Sequence, residues 1–336
     1  MSILKLRLSM IGTLAVIIAI STLFFATLLS LMGSLNVILL ITLVAVFNIT
    51  QWLVAPYIID MVYGVREVSE QEMPWLHRAI ERLCQKTGLK KPKVMISNLE
   101  VPNAFAYGSP IAGTRVAVTK GLLRELDRDE VEAVIGHELG HLKHRDVQLM
   151  MFVSLLPAIF YYLGYMLMMS AWYGVGYGYY GYGMRGEEER AGGGMLAFLI
   201  AIICMAIYWV LTLFTLHLSR LREYYADSFS ALNVEGGARK LARALAKIVM
   251  ATSKLKYRGV EQLKAYNAFK ALFISDPDRA EKDLEELHAL SLARGRDELV
   301  EKILRRKLTI WDRIAELFST HPNIVKRIKA LYELAG

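Results

Sequence analysis

Long apolar runs alternate with polar segments along the chain and separate a membrane part from a soluble part. Residues 8–59 contain no Asp, Glu, Lys or Arg, and the turn-like sequence MGSLN at 32–36 divides this run in two. Two further apolar runs cover residues 147–172 and 191–219. Because a helix needs about 20 apolar residues to cross a bilayer, the pattern predicts four transmembrane helices.

The polar segment between the second and third runs has the pattern of a small α+β unit. Apolar residues at helical spacing cover 70–89, with Pro74 near the start and Gly88 at the end. The sequences KPKVMISN, NAFAYG and RVAVTKG predict three short strands. A further helix is predicted from residue 127, and the chain after the last apolar run is helical throughout. The fold class is therefore a mainly α membrane protein with a small β-sheet in its soluble part.

These patterns divide the chain into four parts. They are two N-terminal spans at 1–61, a soluble part with the sheet and a helix at 62–146, a hairpin of two spans at 147–219 and a helical C-terminal part at 220–336.

Basic residues flank the predicted spans on one side of the membrane: Lys5, Arg7, Arg66, Arg145, Arg220 and Arg222. By the positive-inside rule, both termini and the soluble parts of this multi-pass protein lie in the cytoplasm. The net charge of +8 indicates attraction to anionic lipid, and no nucleic-acid-binding motif is present. The two cysteines imply no disulfide framework, which suits a reducing compartment.

The sequence AVIGHELGHLKHRD at 133–146 contains two histidines four residues apart. On a helix, His137 and His141 lie on one face about one turn apart, so both imidazoles can bind a single metal ion. Neutral histidine nitrogen is a common ligand of zinc. Glu138 can reach a water molecule at such a metal and act as general base. The motif predicts a hydrolase with one zinc ion per chain.

A catalytic zinc usually has a third protein ligand and one open position. The metzincin pattern fails, because His144 and Val147 occupy the positions where it requires Gly and His. Glu223 is the best candidate for the third ligand. It follows the fourth span about as closely as His141 precedes the third span. If the two spans are antiparallel neighbours, both residues lie at a similar distance from the membrane boundary. Asp227, one turn further on, either accepts the second ring N–H of a zinc histidine or is a plain surface aspartate.

The order of HELGHLKHRD, a two-span hairpin and EYYAD resembles the HtpX-like membrane-bound zinc metalloproteases, which are distantly related to the type 1 CaaX prenyl proteases. The resemblance covers nearly the whole chain and includes PNAFAYG, AFKALFISDP and LFSTHPNIVKRI. It implies a zincin-like fold of the gluzincin type, in which His137, His141 and Glu223 bind zinc and Glu138 is catalytic. It also implies a cytoplasm-facing endopeptidase with polypeptide substrates, acting in the quality control of membrane proteins.

The strand that matches NAFAYG borders the substrate cleft in that family. The resemblance therefore implies that Asn103, Ala104 and Phe105 bind substrate, by main-chain pairing of an extended peptide with an edge strand. The alternative is an ordinary hairpin strand.

The family's His-Pro…Arg pattern falls on His321, Pro322 and Arg327. It implies that His321 donates a hydrogen bond to the oxyanion and that Arg327 holds it near the site. Alternatively, the segment only begins a helix, with Thr320 or His321 as cap and Pro322 in the first turn. The charged segment at 278–309 is longer than the family leads us to expect.

Two other functions remain open. An intramembrane protease of the site-2 kind also uses His-Glu-x-x-His, but Asp129, Glu130, Lys143 and Arg145 flank the motif here, and such charges are costly at bilayer depth. A membrane scaffold or chaperone-like protein with structural zinc would have four protein ligands and no open position. The sequence does not indicate an oligomeric state.

Overall fold

The computed structural model describes residues 37–177, 187–257 and 308–335. The helices are α1 (Val37–Val62), α2 (Pro74–Thr87), α3 (Lys120–Glu125), α4 (Arg128–Lys143), α5 (Asp146–Tyr177), α6 (Glu187–Asn233), α7 (Gly237–Tyr257), α8 (Ile310–Leu317) and α9 (Ile324–Ala335). The strands are β1 (Val65–Glu67), β2 (Lys93–Ser97), β3 (Ala104–Ser109) and β4 (Gly113–Thr119). The first predicted span and nearly all of the charged segment at 278–309 lie outside the described residues.

The chain forms two compact units. Among the described residues, one unit consists of 51–148, 216–257 and 308–335, and the other of 37–50, 149–177 and 187–215. The first unit holds the sheet and the soluble helices, and the second is helical.

Among the described residues, one helical stretch, Gly194–Asn233, is long and apolar enough to cross a membrane. Two further apolar stretches, Trp52–Val62 and Val153–Met169, are shorter. The prediction of four spans is therefore not confirmed, whereas a mainly helical fold with a small sheet is.

The sheet is mixed and has the strand order β1-β2-β4-β3. β2 runs parallel to β4, and the two outer strands pair antiparallel with their neighbours. The three predicted strands are present, and the short β1 adds a fourth that the sequence pattern does not indicate. β3 is an edge strand, paired with β4 from Ala104 opposite Val118 to Ser109 opposite Gly113. Within the part of the chain that the structure describes, one side of β3 thus has no neighbouring strand.

Both faces of the sheet are covered by apolar side chains, which stabilise the fold by about 1.5–3 kcal/mol for each large side chain that is buried. One face packs against α2, α4, α7 and α9, with a core that includes Leu76, Ile80, Val116, Val118, Val134, Leu139, Leu241, Leu245 and Ile328. The other face carries Ile59, Tyr63, Met95, Leu99, Phe105, Tyr107 and Ala117. The α4 helix, which carries the His-Glu-x-x-His motif, therefore lies inside the core of the first unit.

Local signals set the helix ends as the sequence predicts. Pro74 begins α2, and Gly88 ends it in the left-handed conformation with φ of 64°, which glycine adopts without strain. At the start of α4, the main-chain N–H of Asp127 donates to the Glu130 carboxylate at 3.0 Å. This contact caps the first turn of the helix that carries the motif.

Candidate active site

Two glycines allow α4 to pack very closely against α6. A Cβ on Gly136 would lie 2.7 Å from Val234 Cγ2, and one on Gly140 would lie 3.1 Å from a main-chain atom of α6, so neither position has room for a side chain. In the same helix contact, the Ser230 hydroxyl on α6 donates to the Ala133 carbonyl on α4 at 2.6 Å. Because the two helix backbones nearly touch, side chains that flank this contact are brought within bonding distance of one another.

Three side chains from these two helices converge on one point. The Nε2 atoms of His137 and His141 are 3.1 Å apart. The carboxylate oxygens of Glu223 lie 3.6 Å from His137 Nε2 and 3.4 Å from His141 Nε2. Two zinc ligands at tetrahedral positions are about 3.3–3.4 Å apart, given bond lengths of about 2.0–2.1 Å. The three donor atoms therefore fit a zinc ion in both chemical type and spacing.

A carboxylate lies behind each histidine. Asp227 Oδ1 is 2.9 Å from Nδ1 of His137, and Asp146 Oδ2 is 2.6 Å from Nδ1 of His141. When a carboxylate accepts the Nδ1 proton, Nε2 is left with a lone pair that can bind a metal. Of the two alternatives for Asp227, the structure places the residue, which is 2% exposed, beside His137 and not at the surface, and its role towards a zinc ligand stays a prediction. The contact of Asp146 with His141 is not predicted from the sequence. The feature that could have indicated it is an acidic residue shortly after the motif, two residues after His144.

Arg327 on α9 ties the carboxylates together. Its Nε and Nη2 donate to the two oxygens of Asp227 at 2.9 and 2.6 Å, and its Nη1 lies 3.2 Å from Glu223 Oε2. The side chain is only 1% exposed. Burial alone would lower the pKa of Arg327, but the Asp227 and Glu223 carboxylates raise it instead, so the group is a permanent cation. Arg327 thus pairs with the carboxylates of Asp227 and Glu223, a contact that the resemblance does not imply.

His321 lies at the rim of this cluster. Its Nε2 is 3.8 Å from Glu223 Oε1, and its Nδ1 is 2.9 Å from the Thr320 hydroxyl. The alternative role, as the cap of α9, belongs to Asn323, because the Asn323 side chain accepts the main-chain N–H of Val325 at 2.9 Å. The structure therefore brings His321 to the site, where its oxyanion role stays a prediction.

Glu138 lies between the donor atoms and β3. Its Oε2 accepts the main-chain N–H of Ala106 at 2.9 Å, and the charges of His141 and Glu223 act on its carboxyl group. Burial raises the pKa of Glu138 to about 7, and a proton acceptor with a pKa near the ambient pH is efficient in general base catalysis. The role of Glu138 as the base stays a prediction.

The register of β3 corrects two of the predicted substrate contacts. The N–H and carbonyl of Asn103 bond to Thr119, at 2.9 and 3.0 Å, so its main chain faces β4. The Phe105 side chain is 1% exposed and packs on the opposite face of the sheet from α4. Since main-chain groups alternate along a strand, Ala104 and Ala106 direct theirs to the free edge. Asn103 and Phe105 are therefore not placed to pair with a peptide there.

The site gathers several buried ionisable groups. Among the described residues, the buried carboxyl groups at the site are Glu138, Asp146, Glu223 and Asp227, and the facing guanidinium groups are Arg222 and Arg327. Asp146 and Glu223 raise the pKa of His141 to about 10, so without a metal this imidazole pairs with both carboxylates as a cation. Burial lowers the pKa of His137, which favours the neutral imidazole that binds metal.

Residues 70–335 match Peptidase family M48, which is more than half of the chain. The chain belongs to peptidase family M48. It is a metalloprotease, and its substrates are polypeptides.

The relatives of this M48 protease agree with the assignment. A protein described as "Protease HtpX homolog" from Thermoplasma acidophilum is 38% identical over 300 residues, which are 88% of this chain and 84% of the relative. Another with the same description, from Aeropyrum pernix, is 40% identical over 329 residues, which are 98% and 96% of the two chains. The resemblance to HtpX-like proteases is thus confirmed.

The M48 chain also has the fold of a solved structure described as "Crystal Structure of S. mikatae Ste24p". The two structures superpose with a TM-score of 0.54 over 98% of this chain and 67% of the other, at 16% sequence identity. At this identity the likeness shows the fold alone.

Asp146 offers a test of the arrangement in this M48 site. In Asp146→Asn, His141 loses the carboxylate that orients its ring, and we expect zinc affinity to fall about 10–100-fold. Competition with a zinc-binding dye on the folded protein measures the dissociation constant. The control is Asp129→Asn, on the exposed side of α4, where the carboxylate pairs only with Lys240 at 3.3 Å. An unchanged zinc affinity in Asp146→Asn would contradict the assigned role.

Proposed function

We propose that this M48 metalloprotease binds one zinc ion per chain through His137, His141 and Glu223, and uses it to cleave polypeptides internally. The observation that carries the proposal is the convergence of the two imidazole Nε2 atoms, 3.1 Å apart, on the Glu223 carboxylate, whose two oxygens lie 3.6 and 3.4 Å from them. Three protein ligands leave a tetrahedral ion one open position for water or substrate, as in catalytic sites. This count favours an enzyme over a scaffold with structural zinc.

Bound zinc would supply Lewis acidity, which activates water and polarises a peptide carbonyl. Glu138 takes the proton of the attacking water and passes it to the nitrogen of the leaving amine, so no covalent bond to the enzyme forms. The N–H of Ala106 holds one Glu138 oxygen, which keeps the carboxylate in position for both transfers. Asp227, Asp146 and Arg327 do not react and act by orienting the ligands.

His321 is proposed as a donor to the oxyanion that develops when the carbonyl is attacked. Its Nε2 points towards Glu223 at the rim of the site, and the Thr320 hydroxyl contacts its other nitrogen. A donor aimed at developing charge stabilises the transition state more than the ground state.

The substrate would lie along the free edge of β3 in an extended conformation. Ala104 directs its N–H and carbonyl to this edge, whereas at Ala106 the carbonyl is left for pairing and the N–H is held by Glu138. Pairing along an edge strand uses the peptide backbone. It therefore places a peptide bond of the substrate next to Glu138 without recognition of particular side chains. Because such pairing extends the peptide on both sides of the cleaved bond, it supports endopeptidase action.

The membrane setting is proposed from the charge pattern and the apolar helix. We infer four spans, with both termini and the catalytic part on the cytoplasmic side, since Arg66, Arg145, Arg220 and Arg222 flank the apolar runs there. A protease held at that surface would meet other membrane proteins first. We propose that its substrates are damaged or misfolded membrane proteins and that its role is quality control.

Zinc dependence and cleavage can be tested together on the full chain in detergent. We expect one zinc ion per chain, internal cleavage of an unfolded model protein, loss of cleavage with a chelator and recovery when zinc is added. Glu223→Ala removes a ligand and should lose both zinc and cleavage, whereas Glu125→Ala, which changes an exposed carboxylate in α3, should lose neither. Zinc binding without cleavage would favour a scaffold, and cleavage in the metal-free protein would refute the mechanism.

A further inference from the structure

Helix α8 turns its apolar face outward. Five large apolar residues in and directly after it are exposed: Ile310, Trp311, Ile314, Leu317 and Phe318. With 3.6 residues per turn, these positions fall within an arc of about 120°. Trp311 is 79% exposed, whereas the acidic Glu316 on the other side is only 7% exposed. This distribution is the reverse of that on an amphipathic helix packed on the core of a soluble protein.

The polar side of α8 is fixed firmly to the protease unit. The Glu316 carboxylate accepts the main-chain N–H of Asn323 at 3.1 Å and also pairs with Lys326. The outward direction of the apolar face is therefore set by buried polar contacts. It does not result from a loosely attached helix.

Helix α8 is tied to the point where α6 leaves its apolar run. Arg220, the first residue after the run at 191–219, donates from Nη1 to the carbonyls of Glu316 and Ser319 at 2.8 Å each and of Leu317 at 3.2 Å. A cation at a helix C-terminus is also favoured by the helix dipole. If α6 crosses the membrane as proposed, the exposed apolar face of α8 lies at the level of the bilayer surface.

The sequence next to α8 is basic. In the sequence, Arg305, Arg306 and Lys307 come three to five residues before its first residue, Ile310, and Arg313 within it is exposed. Basic residues beside an apolar helix face favour the surface of an anionic membrane. Tryptophan is itself enriched at the boundary between lipid headgroups and acyl chains.

We propose that α8 is an interfacial membrane anchor, whose apolar face inserts into the cytoplasmic leaflet of the bilayer that α6 crosses. The inference rests on the proposed membrane topology and adds a lipid contact to the protease unit. The chain runs from α8 through three residues to His321. Insertion of α8 therefore fixes the distance of the His321 loop from the membrane surface.

Tryptophan quenching by brominated lipid tests the anchor in the full chain. The protein is placed in nanodiscs of anionic phospholipid with bromine on the upper part of the acyl chains, which quenches tryptophan at near contact. The emission of Trp311 is the difference between the wild type and Trp311→Phe. Trp209→Phe reports in the same way on the apolar run, where Trp209 is 56% exposed. Trp75→Phe reports on α2, where Trp75 packs on the core and on Arg128.

We expect brominated lipid to lower the emission of Trp311 and Trp209 by about half or more and to leave that of Trp75 unchanged. In Ile314→Glu, a charge on the apolar face should restore most of the Trp311 emission without affecting Trp209. Quenching of Trp209 without quenching of Trp311 would overturn the proposed anchor and leave the proposed span intact. The apolar face of α8 would then contact water, a second copy of the chain or another protein. If neither is quenched, the proposed span fails, and the anchor fails with it.

Discussion

Glu138→Gln is expected to reduce kcat for peptide cleavage by about 10²–10⁴-fold while the protein keeps one zinc ion per chain. Glutamine has nearly the same shape as glutamate, and its side-chain oxygen can still accept the Ala106 N–H that Glu138 accepts at 2.9 Å. The amide cannot take up a proton from water, so only proton transfer is lost. Single-turnover cleavage of an unfolded substrate, together with zinc analysis of the same sample, measures both quantities.

The matched control for this variant is Glu132→Gln on the same helix. The Glu132 carboxylate is paired with Arg82 at 2.8 Å near the surface and does not face the donor atoms. Its replacement should leave cleavage and zinc content unchanged. A zinc-loaded Glu138→Gln protein that cleaves as fast as the wild type would exclude Glu138 as the base.

Arg327→Met is expected to destabilise the protease unit by about 3–5 kcal/mol, because it leaves buried carboxylates without their cation. The guanidinium now bonds to both oxygens of Asp227 and lies 3.2 Å from Glu223. Methionine fills a similar volume but removes all of these interactions. Denaturant titration in detergent measures the change in the free energy of unfolding, and zinc affinity should fall in the same variant.

Arg239→Met is the control for Arg327→Met, since Arg239 is an exposed residue on α7. Surface substitutions of this kind usually change stability by less than about 0.5 kcal/mol. In Arg327→Met/Asp227→Asn, the second change removes one of the orphaned charges, so part of the lost stability should return. A single Arg327→Met variant as stable as the wild type would mean that the buried pair contributes little.

The sequence predicts that His137, His141 and Glu223 lie together, because their placement follows from helix geometry. His137 and His141 share a face by their spacing alone, and Glu223 follows from its similar distance to the end of an apolar run. Asp146 and the partners of Arg327 do not follow in this way. Asp146 reaches back to His141 across the break between α4 and α5, and Arg327 arrives from a helix 100 residues after Asp227. Such contacts depend on tertiary packing, which a local pattern does not contain.

The substrate strand shows a different limit. Both faces of the sheet are buried, so NAFAYG has no alternation of polar and apolar residues that would tell one face from the other. A shift of one residue reverses every side chain and every main-chain group in a strand. The resemblance points to β3, which is an edge strand among the described residues, but the residues whose main-chain groups face its outer edge are Ala104 and Ala106, and those of Asn103 and Phe105 face β4.

The unpaired edge of β3 has a consequence for which proteins this protease can attack. A segment that lies along β3 must first release the hydrogen bonds of its own helix or sheet, and that release costs free energy in a stably folded chain. A locally melted segment has already lost them. The protease would thus select its substrates by local unfolding and not by sequence. Stably folded proteins in the same membrane would not be cleaved, even where they contain the same sequences as proteins that are cleaved.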